Sequence, residues 1–141
     1  MDEPTPNGLR IWDNQARLSL SKGLVLWLAC LVLTCLASVL FVRDHIPARW
    51  LLSGFVLSHL IVFASPPVFK NTWRIGQVGL LHILCWGPGG IFVLFDVTGS
   101  TMRPLNYSIW GSTLTLVLII AFVFDGRDAL TWLRWKSKVG R

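Results

Sequence analysis

Four uncharged, strongly apolar runs, residues 23–42, 50–69, 75–95 and 104–124, fill most of this chain. Each is about 20 residues long and as a helix rises roughly 30 Å, the thickness of a bilayer's hydrocarbon core. Backbone polar groups in lipid must be satisfied internally, and a helix does so within one segment. The pattern predicts an all-α fold, an integral membrane bundle of four transmembrane helices. The expected spans are about 23–42, 50–67, 75–96 and 105–124 in a single domain. A short N-terminal tail (1–20) and a basic amphipathic C-terminal tail (126–141) flank them.

Charged residues make up only 14% of the chain, against about 25% in ordinary soluble domains. With four spans and short loops there is no room for a soluble catalytic domain. The distribution of basic residues sets an orientation. Arg10, Arg17 and Lys22 precede the first run, Lys70 and Arg74 lie between the second and third, and Arg127, Arg134, Lys136, Lys138 and Arg141 follow the fourth. These segments fall on one side and hold ten of the thirteen basic residues, leaving Arg43, Arg49 and Arg103 to the other. The positive-inside rule then places both termini in the cytoplasm. The same charges suit anionic lipid, above all at the C-terminal tail. No basic folded face suits nucleic acid. The first run is too long for a signal-peptide core and reads as a retained anchor. Brevity and short loops suggest a bacterial inner (plasma) membrane.

Span three carries the sequence Gly87-Pro88-Gly89-Gly90 just past its middle. Glycine weakens a helix, and proline removes a hydrogen bond and crowds the preceding turn. The third helix is therefore expected to be kinked or broken there, either to pack against neighbours or to shape a ligand site. The pair Pro66-Pro67 is expected to stop span two early. Residues 1–8 are expected to lack order, and 9–21 to lie along the membrane surface. In the tail, Leu130, Trp132, Leu133 and Trp135 among basic residues suit a short helix on an anionic face.

His59 and His82 are the ionisable side chains well inside the runs. Seven residues separate His59 from Pro66, and eight separate His82 from Arg74. At the helical rise both lie roughly 10–12 Å from the same edge. Intramembrane ionisable residues default to a functional hypothesis. Three uses follow: bis-histidine ligation of haem b, a metal site joined by Cys85 or Cys30, or a proton relay. The structural alternative has His59 bonding a neighbouring helix near Ser58, and His82 bonding a backbone carbonyl freed in span three. Two histidines are too few for a closed zinc site, and Asp44, Asp96 and Asp125 sit at span ends. No nucleophile–base set or phosphate-binding motif is present, so catalytic residues are not assigned. Cys30, Cys35 and Cys85 read as small apolar packing residues.

The expected function is a non-enzymatic accessory or assembly component of a membrane complex, partnered by other subunits or by itself. The alternatives are a haem-binding electron-transfer subunit using His59 and His82, and an oligomeric small-solute or ion transporter with the Gly87–Gly90 segment as its site.

Overall fold

A computed structural model describes residues 6–12, 20–69, 73–99 and 103–139, with the side chains of 65–69 left aside. The described residues are helical apart from turns and one isolated bridge. The helices are α1 (Lys22–Leu36), α2 (Ile46–Phe69), α3 (Ile75–Gly99) and α4 (Leu105–Val139), with 3-10 turns at Asn7–Leu9 and Ala37–Leu40. All four are long and apolar enough to cross a membrane, α1 together with the 3-10 turn that extends it to Leu40. The expectations for residues 1–5 and 13–19, for Lys70 and for Arg141 lie outside the described residues.

Local chemistry fixes the ends. Ser21 caps α1 by accepting the Leu24 amide at 3.3 Å, satisfying one of the free donors of a helix start. The turn after Leu40 closes on α2, where the Arg49 guanidinium donates to the carbonyls of Val42 and Arg43. Pro47 sits in the first turn of α2, where a missing amide proton costs nothing.

Three elements run further than the sequence suggests. α2 continues through Pro66 and Pro67 to Phe69. Two prolines in a last turn forfeit only the few hydrogen bonds that turn holds. α3 is uninterrupted from Ile75 to Gly99 with Pro88 inside it, so the expected break does not occur. α4 carries straight on for 35 residues instead of yielding a separate tail helix, which is about 52 Å at the helical rise. Gly126 alone costs only about 1 kcal/mol relative to alanine. Lys136 and Lys138 sit in the last turn, where they oppose the helix dipole.

The C-terminal half of α4 also has something to pack on. Residues 6–12 run between it and the start of α3. Arg10 and Trp12 exchange backbone hydrogen bonds with Ile75 and Trp73, at 2.9 and 2.8 Å. Asn7 donates to Asp128 at 2.8 Å, and Arg74 donates to the Leu9 carbonyl while lying over the Trp135 ring. Ala129 and Trp132 are buried beneath this crossing. Gly8 and Gly76 let the three backbones meet there, since a Cβ on Gly76 would fall 2.4 Å from the Asp128 carbonyl oxygen.

The helices pack in the order α1, α4, α3, α2. Leu31 and Cys35 of α1, Leu51 and Phe55 of α2, Trp86 and Val93 of α3, and Tyr107, Trp110, Leu114 and Leu118 of α4 form the core. Outward faces remain apolar: Leu33, Leu84, Phe95, Leu116 and Val123 are all more than 60% exposed. A helix with apolar residues on every side belongs in a large core or in lipid.

Candidate functional site

The two histidines do meet. Two close backbone approaches bring their helices together. At Gly54 a Cβ would stand 1.9 Å from the Cys85 carbonyl oxygen, so α2 and α3 touch backbone to backbone. One turn further along, Ser58 of α2 faces Trp86 of α3 and accepts its indole proton at 2.8 Å. At Gly79 a Cβ would stand 2.8 Å from the Asp125 carbonyl oxygen. That contact brings α4 against α3 one turn before His82. His82 Nδ1 then lies 3.2 Å from Asp125 Oδ2.

The rings form one aromatic group. His82 and Trp86, four residues apart on one helical face, stack with centroids 4.1 Å apart. His59 lies 6.2 Å from His82 and 6.0 Å from Trp86, its plane within 4° of the indole's. His59 Nδ1 is 2.8 Å from the Phe55 carbonyl oxygen. A carbonyl only accepts, so a neutral His59 carries its proton on Nδ1 and leaves Nε2 as an acceptor. Ser58 also donates to the Phe55 carbonyl at 2.9 Å.

This arrangement differs from the sequence reading in two respects. His59 bonds the Phe55 carbonyl of its own helix, not a neighbouring helix. His82 takes the carboxylate of Asp125, not a carbonyl freed by a broken helix, because α3 is continuous. Asp125 looks peripheral in sequence, at the end of the last apolar run. Its helix does not end there, so its side chain turns inward at the level of His82.

Haem can be tested against these distances. Two axial imidazoles need the macrocycle plane to pass between them. The triangle formed by His59, His82 and Trp86 puts the indole beside the midpoint of the two histidines, where that plane would run. No cysteine completes a metal set: among the described residues no three His, Cys, Asp or Glu side chains are grouped to hold a metal ion. Cys30, Cys35 and Cys85 are free thiols.

Of Gly87, Pro88, Gly89 and Gly90, the two last glycines lie in the helix–helix seam. A Cβ on Gly89 would fall 2.5 Å from the Leu51 Cα, and one on Gly90 2.8 Å from a Leu118 methyl. Gly89 serves the approach of α2 and Gly90 that of α4. Pro88 faces outward.

A second polar group, at the opposite end, escaped the sequence reading. Asp96 of α3 accepts from the Tyr107 hydroxyl at 2.8 Å and pairs with Arg103. The His45 ring stacks on Tyr107 with centroids 3.5 Å apart, and its Nδ1 is 3.9 Å from Asp96. The spacing of Asp96 and Arg103 across a short loop was the available signal. Leu51, Phe55, Val93, Leu114 and Leu118 fill the layer between the two polar groups.

Comparison with protein-family models, with curated proteins and with solved structures gave no match.

Proposed function

We propose that this chain is a small integral membrane protein that works as a non-enzymatic accessory or assembly component of a membrane complex. The observation that carries the reading is the light attachment of α1. A stripe through Leu31 and Cys35 joins the core, and Trp27 meets Phe124 edge-on with centroids 6.2 Å apart. Leu26, Leu33 and Leu40 of the same segment are 67%, 66% and 76% exposed. Helices associate in lipid through close packing and interhelical hydrogen bonds. A helix that uses one stripe inside its own protomer keeps the others for a neighbouring subunit.

The finer features follow the same reading. The excess of basic residues in the segments that share one side supports an orientation with both termini in the cytoplasm, and the brevity of the chain and its short loops support a bacterial inner membrane. Pro88 bends α3 without breaking it, because its ring displaces the hydrogen bond to the Leu84 carbonyl. Arg127, Arg134, Lys136 and Lys138 are exposed along the α4 extension, where anionic headgroups are within reach. The electron-transfer reading lacks comparable support, since Trp86 occupies the plane a macrocycle needs. Transport through one protomer is disfavoured by the apolar layer between the polar groups.

The test is site-specific photocrosslinking in native membranes. A probe at Leu33 should give a discrete protein adduct, and one at Leu116 on α4 should give far less. Lipid adducts alone from every exposed position of α1 would rule the reading out.

A further inference from the structure

α1 and α2 meet at the turn near His45 and leave a groove open to one side, of about 580 Å³. Its walls are Val32 of α1 with Phe55, Val56, His59, Leu60, Phe63 and Ala64 of α2. The volume falls within the range of small-molecule sites. The α2 residues come from two adjacent helical rows, 55, 59, 63 and 56, 60, 64, so the wall is one continuous helix face. Every other side chain there is a hydrocarbon.

His59 is the polar exception, and its chemistry is defined. Nδ1 is committed to the Phe55 carbonyl at 2.8 Å. In the neutral ring Nε2 is therefore an acceptor, and no described side chain donates to it. His59 is half-buried, and its side chain lines the groove. The ring is held from behind by the near-parallel indole of Trp86, itself anchored on Ser58. A rigid, pre-oriented acceptor in an apolar wall selects a ligand with one matching donor.

We propose that this groove binds an amphiphile made of an apolar body ending in a single hydroxyl, of the phenol, hydroquinone or long-chain alcohol class, with that hydroxyl donating to His59 Nε2. Ordinary acyl chains fill such grooves without regard to the ring. A hydroxyl-tipped chain gains a hydrogen bond that hydrocarbon cannot offer, and the acceptor otherwise stays unsatisfied. The claim concerns binding and requires no electron transfer. It is independent of the assembly role.

The test uses the full chain in phosphatidylcholine nanodiscs, with histidine rings labelled with ¹⁵N. The chain has three histidines, so His45 and His82 serve as internal references. The probes are 4-decylphenol and its methyl ether, 4-decylanisole, which keeps the body and lacks the donor. We expect the phenol to move the His59 Nε2 resonance saturably and to bind roughly 3- to 10-fold more tightly than the ether. His59→Phe should bring the phenol down to the ether's affinity, and Leu60→Trp should fill the groove and weaken both. Equal affinity of the two probes with an unmoved His59 signal overturns the proposal. So does a shift that survives in Leu60→Trp, which marks partition into lipid only. Failure of the phenol to bind, as when another helix covers the groove, also overturns it. The comparison of phenol with ether on the unaltered chain stands even if a variant does not fold.

Discussion

Replacing Gly54 by alanine tests whether the histidine pair depends on backbone contact between α2 and α3. The added Cβ would lie 1.9 Å from the Cys85 carbonyl oxygen and 2.8 Å from its carbon. Neither atom is the tip of a flexible side chain, so the two helices must move apart. Ser58, one turn away, then loses the Trp86 indole proton it accepts at 2.8 Å. Overpacking of this kind costs about 1–3 kcal/mol, and the hydrogen bond contributes about 1 kcal/mol more. Alanine's better helix propensity offsets about 1 kcal/mol, leaving a net loss of about 1–3 kcal/mol. Gly87→Ala is the matched control. Gly87 is also buried, yet nothing lies within 4 Å of the Cβ it would gain. That variant should be neutral or up to about 1 kcal/mol more stable. Reversible unfolding in mixed micelles measures both. If Gly54→Ala proves as stable as Gly87→Ala, the close approach is wrong, and so is the reason given for the cluster.

Three other outcomes are expected. Asp125→Leu should cost about 1–2 kcal/mol by stranding His82 Nδ1, and Asp125→Asn much less, because an amide oxygen still accepts; the His82→Leu, Asp125→Leu double variant should show the coupling in the same unfolding assay. Tyr107→Phe removes one of the two groups bonded to Asp96 and should cost about 1 kcal/mol, with Arg103 retained as the remaining partner. Arg74→Ala removes both the bond to the Leu9 carbonyl and the stack on Trp135, so limited proteolysis should cut within residues 6–12 faster than in the unaltered chain.

The four long apolar helices were legible because apolar length and helical rise decide them before any packing is known. Four helices of the expected type stand close to the expected places. The shared depth of His59 and His82 was legible for the same reason, since rise per residue and a short turn fix relative depth; that their rings stand 6.2 Å apart depends on helix packing and was not. What the pattern concealed depends on neighbours. Proline and glycine signal a break only where nothing holds the helix. Gly89 and Gly90 lie against α2 and α4, and α3 stays whole. Asp125 reads as a span end because hydropathy falls there, but Ala129 and Trp132 beyond it are buried and carry the helix on. The group around Asp96 joins α3 and α4 to the residue that precedes α2, and no one-dimensional pattern pairs His45 with Tyr107.

The assembly role is tested most directly by mass. The protein should be withdrawn from its own membrane in a detergent-free polymer nanodisc and weighed by native mass spectrometry. We expect the 15.8 kDa chain to travel with a different subunit in fixed ratio, and to lose that subunit when Leu26 and Leu33 of α1 are replaced by tryptophan. A lone chain, or copies of this chain and nothing else, would contradict it.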